Sequence, residues 1–206
     1  MTPEQTILLD GLKMMAQTFW GPSGDKCAEM VGEIYLDRLQ SLTSVLKTGA
    51  VDALQEIVSI IKGFPDGDSL YQHLEEGYVR LFISAKGSIT APLYESCYEF
   101  EGAPLMGPPA IAMRERFESK DLSMAAEINE PPDHLSVELE YLYFLLDKGW
   151  SDPDEPLIAE GSAFASEIMI PWVSKFQERL AAEKEGSFYY LAATILVEIL
   201  NRKSSI

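Results

Sequence analysis

The chain has little of what a disulfide framework, a metal cluster or a membrane anchor requires. Its 206 residues include only two cysteines, Cys27 and Cys97, far apart and in no metal-ligand spacing. That usage suits a reducing compartment, where a buried thiol behaves as a small hydrophobe. The most apolar run, FYYLAATILVEIL at 188–200, is too short to span a bilayer and carries Glu198. The opening MTPEQTILLDG lacks the basic region of a secretory signal. A soluble, cytoplasmic protein without membrane insertion is expected. Bases are scarce: 16 against 33 acids, for a net charge of −17. Such a surface repels phosphate backbones, which argues against nucleic acid as a partner. It either attracts a basic partner or simply keeps the protein soluble. Neither GxxxxGK[ST] nor GxGxxG occurs after a predicted strand, so nucleotide chemistry has no motif. Alternating strand patterns are absent too.

What is present is helical periodicity over a chain that is 47% hydrophobic. That is enough for one domain burying roughly 70% of its unfolded surface. Thr2, Pro3 and Gln5 form a capping box for a first helix with Leu8, Leu12, Met15 and Phe19 inward. GPSG at 21–24 ends it. A second helix is expected over about 25–40, facing inward with Val31, Ile34, Tyr35 and Leu39. A third spans about 50–62, then GFPDGD at 63–68 turns the chain into a fourth with Leu70, Leu74, Tyr78, Leu81 and Phe82. Residues 86–109 are irregular, and a short helix follows at about 109–119. A helix with Leu135, Leu139, Leu142 and Leu146 inward is stopped by Lys148-Gly149. SDPDEP at 151–156 turns, and Pro171 splits or kinks the segment 156–183. A last helix begins after Gly186-Ser187 and uses Leu191, Ile195, Leu196 and Ile199. The expected fold class is all-α, a compact multi-helix bundle.

One of only two histidines stands at the entrance to a helix, in NEPPDHLSVELEYLYFLL at 129–146. Asp133 is a good N-cap, and Pro131 and Pro132 extend the chain before it. As a catalytic pair with Ser96, Asp133 and His134 fare poorly, because neighbours on a helix point about 100° apart. His134 and Glu138 share a helix face, as do His73 and Glu76, but a metal site needs three or four converging ligands. A cap, a metal site and a docking surface all stay open. The same holds for Tyr94, Ser96 and Tyr98 in PLYESCY, which suit either core packing or a peptide anchor.

Three strings in order, EGYVRLF at 76–82, PLYESCY at 92–98 and EPPDHL at 130–135, resemble the TorD/DmsD family of redox-enzyme maturation chaperones. MIPWVSKF at 169–176 and FYYLAATIL at 188–196 are similar as well, so the resemblance covers about residues 68–200. Gly77, Phe117 and Asp121 depart from it, standing where an acid, a tyrosine and a glycine are common. The resemblance implies an all-helical fold in two halves: about 1–122 and 135–206, with a proline-bearing hinge at about 123–134. It implies a non-enzymatic, cytoplasmic chaperone for a molybdopterin oxidoreductase catalytic subunit. Such a chaperone binds the subunit's twin-arginine signal peptide and its apo body until the cofactor is inserted; the chaperone itself carries no cofactor or metal. The peptide-binding residues it implies are Tyr94, Ser96, Tyr98, Glu130, Asp133 and His134. Glu138 and Glu140 add acid around the same helix start, and carboxylates bind arginine bidentately. Two halves joined through a hinge suggest a monomer with a minor domain-swapped dimer. The alternatives are a NarJ-type assembly factor for a subunit that is not exported, and a metal-dependent hydrolase using His134, Glu138 and Asp133.

Overall fold

A computed structural model describes residues 1–83, 89–126, 128–182 and 187–203. Every regular element among them is helical. Thr2 Oγ1 accepts from Gln5 N and Thr2 N donates to Gln5 Oε1, closing the predicted capping box of α1 (Pro3–Phe19). The predicted second helix is two. Ser23 caps α2 (Gly24–Met30), and the chain breaks at Val31-Gly32 before α3 (Glu33–Ser41). The break resets the helical phase, so Ile34, expected inward, is 75% exposed and Leu36 and Leu39 carry the buried face. After α4 (Thr48–Lys62), Asp66 accepts from the backbone and hydroxyl of Ser69 and caps α5 (Gly67–Tyr78). A π turn over Val79–Ile83 then places Leu81 and Phe82 both in the core.

Pro108 opens α6 (Pro108–Ser119). Lys148-Gly149 does not end α7 (Leu135–Ser151), because Gly149 serves packing instead. A Cβ there would lie 2.8 Å from Ile158 of α8 (Glu155–Ala163). Pro171 does divide its segment. It sits in the first turn of α9 (Ile170–Ala181), and the π turn Phe164–Met169 before it absorbs the amide that proline cannot supply. Ser187 leads into α10 (Phe188–Lys203), and Gly186, expected beside it, lies outside the described residues.

α7 and α10 are the central helices. α1 lies against both, α4 against α10, and α8 and α9 close the other side. The buried apolar residues, Ala110 and Val137 apart, therefore form one cluster from Leu8 to Leu200. At its centre Phe19, Phe82, Phe176 and Tyr189 pack together, edge-to-face for Phe19–Phe176 at 5.5 Å and Phe82–Tyr189 at 5.1 Å, and stacked for Phe82–Phe176 at 6.0 Å. Among the described residues no helix is long and apolar enough to cross a membrane.

Among the described glycines, the tightest approach to another backbone joins α2 to α5. A Cβ on Gly67 would lie 2.6 Å from the backbone of Ala28. Backbone cannot step aside as a side chain does, so Gly67→Ala should destabilise by about 2–3 kcal/mol. Gly24→Ala, with open space around it, should leave the melting temperature level or slightly raised. Thermal unfolding of the two variants checks the pair.

Candidate functional site

The strings PLYESCY and EPPDHL, more than thirty residues apart, are one structural unit. Tyr94 and His134 form an antiparallel bridge, in which Leu135 N donates to Leu93 O at 2.8 Å and Glu95 N to Asp133 O at 3.0 Å. Side chains reinforce it. The Asp133 carboxylate accepts from Ser96 N at 2.9 Å and Ser96 Oγ at 2.5 Å, and Ser96 Oγ accepts from Gly107 N at 3.0 Å. Tyr94 donates its hydroxyl to Glu130 at 2.7 Å. Tyr98 is buried with its hydroxyl on Pro92 O at 2.8 Å, and the Arg179 guanidinium lies 4.3 Å over its ring.

Asp133 is therefore not the helix cap that its position suggested. It is wholly buried and spends one oxygen on Ser96. The cap of α7 is His134, whose Nδ1 accepts from Ser136 N at 3.1 Å. That bond requires a neutral ring. Burial depresses the His134 pKa to about 4, outweighing the opposing charges of Glu130 and Asp133. Trp20, at the end of α1, stacks on the ring at 4.9 Å, and Tyr94 meets its edge at 5.2 Å.

Glu138 faces the core. It is fully buried, with Trp172 Nε1 donating to it at 3.0 Å. Burial first, and then the Glu95 carboxylate beside it, push its pKa well above the usual carboxylate range. Burial also raises the pKa of Glu95, so the two neighbouring carboxyls both resist ionisation. The predicted site residues thus come together, but they point in different directions. Asp133 serves Ser96, His134 serves Ser136 and Glu138 serves Trp172, so they do not converge on a metal. Among the described residues no group of three potential ligands is placed to hold one. His73 packs on Phe64, with ring centroids 4.9 Å apart. Asp133 bonds the serine rather than the histidine, so no proton relay exists between them.

What reaches the surface is the rim: half-buried Tyr94 and Glu130, and exposed Glu140. Glu140 accepts from Trp20 Nε1 at 2.7 Å. Neither carboxylate is ion-paired among the described residues. Sequence reasoning passed over Trp20 and Glu95. The only signals were a bulky aromatic directly before a Gly-Pro stop and a second acid inside PLYESCY.

Residues 45–178 match the family model described as the nitrate reductase delta subunit. The chain belongs to that family. Curated relatives are TorD chaperones. The one from Vibrio vulnificus is 26% identical over 193 residues, covering 88% of this chain and 89% of its own. The one from Aliivibrio salmonicida is 26% identical over 158 residues, covering 74% and 73%. A solved redox enzyme maturation protein from Archaeoglobus fulgidus shares the fold, with a TM-score of 0.57 at 23% identity over 98% of this chain and 95% of that one. Both bridged strings fall inside the family match, whereas α1 with Trp20 falls outside it.

The departures from the TorD/DmsD pattern now have locations. Asp121, where glycine is common, sits at φ 53°, the left-handed region that glycine enters without strain and aspartate tolerates. Phe117 packs edge-on to Tyr141 at 5.5 Å.

Two buried groups give opposite pH dependences. Folded His134 resists protonation until about pH 4, whereas an unfolded histidine takes a proton near 6.5. It therefore removes up to about 3 kcal/mol of stability as pH falls through that window. Burial raises the Glu138 pKa in the folded chain above its unfolded value, so it removes stability as pH rises above the ordinary carboxylate range. Glu138→Gln preserves an acceptor for Trp172 without the charge. It should be more stable than the native chain at pH 8, with the gain shrinking towards pH 4.5, as urea unfolding at both values would show. A second expectation concerns the bridge. Asp133→Ala strands two buried donors of Ser96 and should cost about 2–3 kcal/mol, read in the same assay.

Proposed function

We propose that this protein is a chaperone, not an enzyme, that acts in the cytoplasm on the catalytic subunit of a molybdopterin oxidoreductase. It binds the subunit's twin-arginine signal peptide and apo form, and holds them until the cofactor is loaded. The observation that carries this reading is the bridged unit of PLYESCY and EPPDHL in a member of this family, with a carboxylate at its rim, Glu130, that is not ion-paired among the described residues. In this reading Tyr94 and Glu130 meet the peptide. Ser96, Tyr98, Asp133, His134 and Glu138 hold that rim in place from beneath. The net charge of −17 speeds encounter with a basic peptide. The chain acts as a monomer, with a domain-swapped dimer as a minor form.

The description of the matched family favours one second reading, a NarJ-type assembly factor for a subunit that is not exported. Its client would carry no signal peptide, so it would bind the subunit body and ignore the isolated peptide.

Titration with a synthetic twin-arginine signal peptide tests the first reading. Replacing both arginines with alanine should weaken binding at least tenfold. Replacement with lysine should cost less, since charge remains but the bidentate fork is lost. Near-molar salt should slow association while leaving measurable binding. Glu130→Gln should weaken binding about fivefold at an unchanged melting temperature. Affinity indifferent to both arginines and salt overturns the reading.

A further inference from the structure

A signal peptide has two parts, and the rim at Glu130 addresses only the basic one. The apolar part needs a surface from which it displaces water. Tyr98, one of the peptide-binding residues that the resemblance implies, does not offer it, since that ring is buried and capped by Arg179. An open apolar cleft does exist one helix turn further along α7. It lies between α6, the irregular chain after it and α7, with a volume of about 250 Å³. Val137 and Tyr141 form its floor, and Phe117, Leu122, Met124 and Phe144 stand half-buried around it. The Tyr141 hydroxyl is turned away to Glu160 at 2.7 Å, and Lys120 bonds the same carboxylate, so the floor presents only ring. Leu122 and Met124 stand on the irregular chain after α6, where Leu122 N donates to Phe117 O at 2.9 Å and Ile128 N to Ala125 O at 3.0 Å.

The cleft's charged edge suggests its occupant. Glu140 lines the cleft and accepts from Trp20. Trp20 stacks on His134, His134 meets Tyr94, and Tyr94 bonds Glu130. Glu130, Tyr94, the buried His134 ring, Trp20 and Glu140 are therefore one line of contacts that ends at the cleft. Lys26, the cation whose field reaches Glu140, is engaged instead by the carbonyls of Gln17 and Gly21 at 3.4 and 3.2 Å. A partner that is basic at one end and apolar at the other complements this line.

We infer that the cleft between α6 and α7 seats the apolar stretch of the client peptide, while the Trp20–Glu140 pair joins Glu130 in holding its basic end. This rests on the twin-arginine reading above and adds to it a second subsite, one that recruits α1. The apolar stretch gains affinity by covering Phe117, Leu122, Met124 and Phe144. Trp20 fixes the Glu140 carboxylate by one oxygen, and the other, with no partner among the described residues, can take a guanidinium.

The test uses the full chain and two synthetic peptides: paired arginines followed by a leucine- and alanine-rich stretch, and the basic segment alone. Met124→Glu should weaken the long peptide at least tenfold and leave the short one unaffected, with the melting temperature unchanged. Phe144→Ala should weaken the long peptide about fivefold, and serves if the glutamate disturbs folding. Glu140→Gln and Trp20→Phe should weaken both peptides. If the native chain binds the long peptide but Met124→Glu and Phe144→Ala bind it equally well, the cleft assignment is wrong and the functional reading stands. If the two cleft variants weaken both peptides alike, the cleft does not read the apolar stretch. If the native chain binds neither peptide, the reading and the inference fall together.

Discussion

The carboxylate of Asp133, accepting from the amide and hydroxyl of Ser96, is the interaction on which the site depends. It is wholly buried, and its partner lies on a segment with little regular structure of its own. A single buried acceptor with two donors fixes the register of the Tyr94–His134 bridge. From that register follows the placement of His134 as cap, of Trp20 on its ring, and of Glu130 beside Tyr94. A carboxylate in such a position is unsuited to meeting a ligand. Its role is to make the neighbouring surface rigid enough for one.

Around it the protein keeps several polar groups in its interior. Burial holds the Glu138 pKa well above the usual carboxylate range beside Glu95 and Trp172, and His134 caps Ser136 N as a neutral ring. Each sacrifices stability in one pH range, which a purely apolar core would not. The arrangement makes sense if the unit must hold one geometry, since polar partners with fixed directions specify a register that leucines would leave free.

Much of the fold was legible in the sequence where local rules decide it. The Thr2-Pro3-Gln5 box, the Asp66 turn and the leucine faces of α4, α7 and α10 obey capping and periodicity. Reading failed where tertiary packing overrode those rules. Gly149 looked like a stop but makes room for Ile158, and Gly32 divided a helix that period alone would continue. The π turns at 79–83 and 164–169 have no local signature. In the site, the identities of the residues were readable but not their orientation. Asp133 satisfies every rule for an N-cap, and only the bridge to the distant Ser96 turns its carboxylate away from α7. Trp20 escaped notice because its partners, His134 and Glu140, lie more than a hundred residues away.

The central claim is that Asp133 holds the site from within and does not itself leave Ser96 for the client. Hydrogen exchange at the Ser96 and Leu135 amides, measured with and without saturating signal peptide, tests this most directly. Both amides donate in the interlocked unit, to Asp133 and to Leu93. The account predicts strong protection of both in the free chain, unchanged or increased when the peptide binds. Rapid exchange at Ser96 in the free chain, or protection lost on binding, would contradict it, because Asp133 would then be free to turn outward to an arginine.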